Sequence, residues 1–405
     1  MRAQMKIYFR GMISEITLVD GDLKFDITHN YGFYESFGSI LGQQNSGAYI
    51  FRPSKPNEKL TIIDSVPSSV QVLRTDLLTE VRTQFSSPWI KQVIKIYPDT
   101  PYLDIEYAIG PIPIEIDGVG KEIISRLCTK IQSNGTFFTD SNGREFLRRR
   151  RLWNEYENIA SNYYPINTAI YIQDETRSLA VLTDRSQGGG SLADGCVEIM
   201  LHRRTLHDDA RGVGEPINET DEGMSSYPPY GDAKRKGKGI SVEGKHRLLL
   251  ANSHSGTHVA RPYMDSMFAA PILFSAVVDA SMNHISFDMM VHIKDLPTNI
   301  QIVSLQRWDS ESVLLRLAHQ YDVDEDVYLS QPVIVDIANI FVNRLLKDVT
   351  ELTLSGNQMR SVWEQSRKIT WIGDEDGETT HRYDDSGHVV KLNPLEIRTF
   401  KITFQ

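Results

Sequence analysis

The sequence predicts an all-β protein: a large β-sandwich over residues 1–298 and a smaller carboxy-terminal β-sandwich over 299–405. Three observations carry that expectation. Apolar residues recur with period two, as in Leu103, Ile105, Tyr107 and Ile109, in Phe287, Met289, Val291 and Ile293, and in Val313, Leu315 and Leu317. Such alternation marks a strand with one face in a core. Gly, Pro, Asn and Asp turns part these runs, and convincing long helices are absent. The strongest helix candidate is short, from Val335 to Leu346.

Taken in order, Gly21-Asp22 marks a hairpin turn, and small residues from Gly42 to Gly47 form a loop before Tyr49-Ile50-Phe51. Strands follow over 69–74, 80–85 and 89–97, then the Leu103 run. Gly110-Pro111-Ile112-Pro113 ends that run, because proline cannot donate to a ladder. Residues 134–168 read as polar and loop-rich, and the run Arg148 to Arg151 as a solvated face. Leu182 to Leu192 reads as a strand leading into a glycine-rich turn at Gly188 to Gly190. In the strand after it, Val197, Ile199 and Leu201 share a face. Arg203, Arg204, His207, Asp208, Asp209 and Arg211 then crowd into nine positions, as a buried ionic network or the rim of a site. Residues 221–240, with Lys234-Arg235-Lys236, read as an exposed loop. Leu296-Pro297-Thr298-Asn299 marks the domain boundary. In the last strand Leu395 and Ile397 share one phase and Phe400, Ile402 and Phe404 the other, which predicts a bulge near Thr399 or a strand that switches sheets.

Composition narrows the function. The 405 residues, 40% hydrophobic and 24% charged, fit a soluble protein of more than one domain. A net charge of -10 argues against nucleic acid as a partner. No stretch is long and apolar enough to span a bilayer, and the amino terminus lacks the apolar run of a signal peptide. Cys128 and Cys196 set no framework; two unpaired buried thiols are the expectation, and one disulfide the alternative. Asn134-Gly135-Thr136 and Asn218-Glu219-Thr220 are glycosylation sequons in turn-like surroundings.

Candidate chemistry is sparse. His202, His207, Asp208 and Asp209 suggest a metal, but consecutive residues on an extended chain point to opposite faces. A loop salt-bridged to Arg203, Arg204 and Arg211 is the expectation there. His254 and His258 have helical ligand spacing, yet their Ser-Gly-Thr context disfavours a helix, so exposed loop histidines are expected. Ser186 follows Asp184-Arg185 without the elbow motif of a nucleophile.

Several segments together carry a resemblance. They are Ser46-Gly47-Ala48-Tyr49-Ile50-Phe51-Arg52-Pro53, Gly110-Pro111-Ile112-Pro113, Phe138-Thr139-Asp140-Ser141-Asn142-Gly143-Arg144-Glu145 and Asn162-Tyr163-Tyr164-Pro165. The Leu182–Leu192 stretch, Gly212-Val213-Gly214-Glu215-Pro216, Leu314-Leu315-Arg316-Leu317 and Leu395-Glu396-Ile397-Arg398-Thr399-Phe400 complete the set. In this order they resemble the carboxy-terminal half of lysosomal-type α-mannosidases, glycoside hydrolase family 38. The resemblance implies a galactose-mutarotase-like supersandwich for the large β-sandwich. It implies a retaining, zinc-dependent hydrolase of α-linked mannose, working in the lysosome or after secretion. Retention needs two carboxyl groups about 5 Å apart, and zinc needs convergent His, Asp or Cys ligands. In the family those groups lie in an amino-terminal catalytic domain, so no catalytic or metal residue is expected in this chain. That domain and mannose-containing glycans are the expected partners, and Met1 reads as an internal start, a fragment or a partial gene model. Among this chain's residues the resemblance assigns sugar contact to Tyr49 and to one of Arg203 and Arg204. Residue chemistry alone reads Tyr49 as a core aromatic at the start of a strand. A carbohydrate-binding β-sandwich without catalysis, and a purely structural module, are the competing functions.

Overall fold

The computed structural model describes residues 5–9, 12–18, 23–39, 44–64, 67–98, 100–224, 237–251, 256–268, 272–273, 275, 292–293, 296–342, 344–366 and 388–405. The chain divides into two compact units, Met1–Ala270 and Pro271–Gln405. The boundary expected at 298/299 falls inside the second unit, where Leu296 packs on that unit's core.

Two large antiparallel sheets form the body of the first unit, beside a short pair, Glu219–Thr220 with Gly223–Met224. One has eight strands, in the spatial order Met5–Phe9, Ile13–Leu18, Leu23–Glu35, Lys121–Thr129, Cys196–Arg204, Gln187–Gly190 and Tyr163–Ile166, with Thr61–Asp64 also paired to Leu23–Glu35. The other has nine, running Glu145–Arg150, Thr136–Ser141, Ala169–Gln173, Ser178–Thr183, Val242–Ala251, Tyr102–Ile109, Ile90–Ile96, Thr79–Phe85 and Pro67–Arg74. Ile16, Phe25, Leu127, Val197 and Ile199 from the first sheet share one buried core with Leu103, Ile105, Val181 and Leu248 from the second. Period-two strands on both sides of one apolar layer make a sandwich. The strand Tyr102–Ile109 behaves as its alternation demands: Leu103, Ile105, Tyr107 and Ile109 are all buried.

The glycine-rich stretch is corrected. Gln187–Gly190 is a strand, not a turn, and pairs with both Tyr163–Ile166 and Cys196–Arg204. Its glycines serve close approach: a Cβ on Gly189 would lie 2.3 Å from Ile166 Cδ1 and 2.7 Å from the Glu198 carbonyl. The chain changes sheets across Asp184–Ser186, between Ser178–Thr183 in one layer and Gln187–Gly190 in the other.

Other expectations also change. Cys128 and Cys196 form a disulfide, because they are directly opposed on adjacent strands with Cα atoms 4.0 Å apart. Residues 134–168 hold three strands, Thr136–Ser141, Glu145–Arg150 and Tyr163–Ile166. Within the arginine run, Arg148 and Arg150 are exposed, Arg149 lies over Tyr164 and Arg151 pairs with Asp194 at 3.0 Å. A helix does form at Gly256–Phe268, despite Pro262 and the weak helix formers before it. Its Ala260, Met264 and Met267 cover Ala169, Ala180, Leu182 and Leu249 of the nine-stranded sheet. Tertiary burial thus overrides propensity. His254 lies outside the described residues, and His258 is on this helix rather than in a loop. The Lys234-Arg235-Lys236 segment and Phe287, Met289 and Val291 also lie outside the described residues.

The second unit has a four-stranded sheet, Ile300–Arg307, Ser312–His319, Ile397–Phe404 and Leu346–Leu352, and a two-stranded sheet, Val333–Asp336 with Val389–Leu392. Leu315, Leu317, Phe400 and Ile402 share a core with Val335, Val390 and Leu392. The expected helix at Val335 to Leu346 is instead a strand end, a 3-10 turn at Ile337–Asn339 and two further strands. Ile397–Phe404 pairs in register with Ser312–His319 without a bulge. Leu395 stands before that strand in a left-handed conformation, φ 59°, which explains its different phase.

Candidate functional site

The charged stretch after Cys196–Arg204 meets the small-residue loop at Asn45–Arg52. Three strands bring them together. Lys121–Thr129 sits between Leu23–Glu35 and Cys196–Arg204, and Arg203 is the direct cross-strand partner of Glu122. Glu122 is fully buried, and Arg203 grips it with Nε at 2.5 Å and Nη2 at 3.1 Å. A buried carboxylate held by two guanidinium nitrogens is a strong, directional pair.

From that pair the arginine reaches the loop. Arg203 Nη1 donates to the Gly47 carbonyl at 2.7 Å, and Nη2 donates to the Ile50 carbonyl at 2.7 Å and to Ser46 Oγ at 3.2 Å. Ser46 Oγ donates to Glu122 and accepts from the Arg52 N–H at 3.0 Å. The other side of the loop is held by Asp209, also fully buried, whose Oδ2 accepts from the Tyr49 N–H at 2.6 Å. Gly47 permits this approach: a Cβ there would lie 2.7 Å from Asp209 Cβ. Asn45 bonds the Asp208 carbonyl at 2.9 Å.

The loop's backbone is therefore fixed while the Tyr49 side chain projects outward. Tyr49 is 70% exposed, so it is not a core aromatic. The next aromatic, Phe51, turns inward and meets Tyr163 edge-on at 4.8 Å. Tyr163 donates to buried Glu198 at 2.6 Å, and Tyr34 and Arg126 also bond that carboxylate. Burial, then the Glu198 charge, push the Tyr163 phenol well above its ordinary pKa, so it stays a donor.

Arg203 and Arg204 point apart. Arg204 is buried, bonding Asn218 Oδ1 at 2.8 Å and the Ile112 carbonyl at 2.7 Å, and it pairs with Glu115 at 2.8 Å. Of the two, only Arg203 touches the Tyr49 loop. Neither pairs with Asp208 or Asp209: the expected salt-bridged loop is corrected to pairs with Glu122 and Glu115 from outside it. Sequence reading missed Glu122 and Glu198, because strand pairing, not local pattern, brings them to the arginines and tyrosines; it singled out Asp209, but not its bond to the Tyr49 N–H.

Two buried atoms of the charged loop, His207 Nδ1 and Asp208 Oδ1, have no hydrogen-bond partner among the described residues. Burial lowers the pKa of His207, and burial also lowers that of His202, whose Nε2 lies 3.1 Å from the Ile240 carbonyl. Among the described residues no three His, Cys, Asp or Glu side chains are grouped as a metal ion requires. The zinc implied by the sequence resemblance thus finds no fitting donor set among these residues.

Comparison with known protein families decides the family. The model of the glycosyl hydrolases family 38 C-terminal domain matches residues 4–211, and that of the family 38 C-terminal beta sandwich domain matches 299–400. The chain belongs to glycosyl hydrolase family 38. It is 37% identical over 410 residues to the lysosomal alpha-mannosidase of Bos taurus, covering 98% of this chain and 38% of that protein. Against the lysosomal alpha-mannosidase of Homo sapiens the identity is 36%, with the same coverage of each. Against the alpha-mannosidase of Canavalia ensiformis it is 36%, over 93% of this chain and 39% of that protein. The chain thus corresponds to the carboxy-terminal part of a family 38 mannosidase and spans well under half the length of these relatives. A crystal structure of an alpha-mannosidase from Enterococcus faecalis V583 shares the fold, with TM-score 0.60 and 12% identity over 98% of this chain and 41% of that one.

Proposed function

We propose that this chain is the β-domain portion of a zinc-dependent, retaining α-mannosidase that hydrolyses α-linked mannose of glycoproteins and oligosaccharides in the lysosome or after secretion. An amino-terminal domain of the same enzyme supplies the nucleophile, the acid and the zinc ligands. This chain supplies a wall of the sugar pocket and is inactive alone. Its contact is Tyr49, whose phenol bonds a sugar hydroxyl while the ring packs on the sugar's apolar edge. Arg203 acts behind it as a positioning residue. Arg204, turned toward Asn218, has a structural task.

The observation that carries this reading is the clamp of Glu122, Arg203, Ser46 and Asp209 around a loop whose exposed side chain is Tyr49. A rigid loop presenting an exposed aromatic suits recognition. The test is kinetic, in the complete enzyme. Tyr49→Phe should lower kcat/KM for an α-mannoside by about tenfold, as expected for one lost transition-state hydrogen bond. An unchanged kcat/KM in Tyr49→Ala would remove Tyr49 from the pocket.

A further inference from the structure

The two glycosylation sequons occupy opposite surroundings. Asn218 is 1% exposed, and its amide oxygen accepts from Arg204 Nε at 2.8 Å. A glycan on its nitrogen would have to pass through packed protein. Asn134 is exposed. It sits at a turn with φ 51°, followed by Gly135 with φ 69°, closed by the Thr136 N–H to the Ser133 carbonyl at 2.9 Å. Asp194 Oδ1 pins that turn by accepting from the Gly135 N–H at 2.9 Å.

Asn134 also stands on the wall of a groove of about 980 Å³. Phe138, Arg148, Gln173, Asp174 and Thr176 line the same groove. Its walls are braced: Asp174 accepts from the Gln132 N–H at 3.1 Å, and Phe138 stacks on Tyr171 at 4.5 Å. An aromatic ring among amide, carboxylate, hydroxyl and guanidinium groups suits sugar rings, which offer C–H faces and hydroxyls together.

We infer that Asn134 carries an N-linked oligosaccharide whose inner sugars lie in this groove, and that Asn218 is unmodified in the folded chain. The inference goes beyond the mannosidase reading and shares with it only passage through the secretory pathway. In the transfer, an oligosaccharide leaves a polyisoprenoid diphosphate carrier. The sugar C1–O bond to phosphate breaks, a C1–Nδ2 bond forms, the amide gives up one proton to the medium, and the lipid diphosphate departs without redox change.

The test expresses the full chain in a secretory host that attaches uniform oligomannose glycans. Site occupancy is read by mass spectrometry, and glycan release by peptide N-glycanase is timed on native and denatured protein. Occupancy is expected at Asn134 alone. Native release should be about tenfold slower than denatured release. Arg148→Ala and Gln173→Ala, both at partly or fully exposed positions, should each speed native release while leaving the melting temperature unchanged. An empty Asn134, an occupied Asn218 in folded protein, equal native and denatured rates, or release unchanged in both variants would overturn the inference. None of these readouts involves mannosidase activity, so each fails or succeeds separately from the proposed function.

Discussion

Single residues matter most here where burial forces charged groups to be paired. Glu122 is fully buried and Arg203 supplies its charge partner. Arg203→Ala should therefore destabilise the first unit by about 3–5 kcal/mol, the usual cost of orphaning a buried carboxylate. Tyr49→Ala, at an exposed position, should stay within about 0.5 kcal/mol. Urea titration of both variants checks the contrast, and equal losses would contradict the clamp. His29 and His246 are a second buried case. His29 Nε2 lies 2.9 Å from Ser125 Oγ, and His246 Nε2 lies 2.9 Å from Gln187 Oε1. Burial pulls their pKa values down to about 3 and about 4. In the unfolded chain each binds a proton near pH 6.5, whereas the folded chain resists until far lower pH. Their contribution is thus intact above pH 6.5 and falls as pH drops toward 4, at about 1.4 kcal/mol per unit for each histidine. Stability curves should be less steep across that window in His246→Gln; an identical slope would count against it.

Elements explain why some of this was legible and some not. Period-two alternation identified Tyr102–Ile109 and Ser312–His319, because one face of each strand is in a core. It failed at Gln187–Gly190, where glycine serves packing rather than turning. Gly190→Ala should cost more than about 2 kcal/mol, since its Cβ would lie 2.2 Å from the Asn162 carbonyl. Gly188→Ala should cost far less, the nearest atom being 3.9 Å away on Tyr163. Thermal melts of the two variants make the comparison, and similar losses would refute the packing role. Cysteine pairing was equally hidden, because Cys128 and Cys196 become neighbours only through strand register. Breaking the bridge with Cys128→Ser and Cys196→Ser should remove about 2–4 kcal/mol. A double variant as stable as the parent in denaturant would show the bridge to be dispensable. The helix Gly256–Phe268 escaped notice because its sequence is a poor helix former, and burial on the nine-stranded sheet stabilises it.

At the scale of the whole molecule, the chain is two β-units of family 38, and the first of them presents a fixed loop with Tyr49 exposed. The family was legible because its motifs run in order along most of the chain. The clamp beneath Tyr49 was not, because Glu122 and Asp209 lie far from it in sequence. The proposed function makes this molecule a supporting wall whose reactive groups lie in another domain. Exposed Ile116, Trp153 and Tyr156 are consistent with surface that such a domain would cover. The most direct measurement is turnover of a chromogenic α-mannoside by the purified chain, with and without added zinc. The account predicts no rate above buffer in either condition; zinc-stimulated hydrolysis by this chain alone would contradict it.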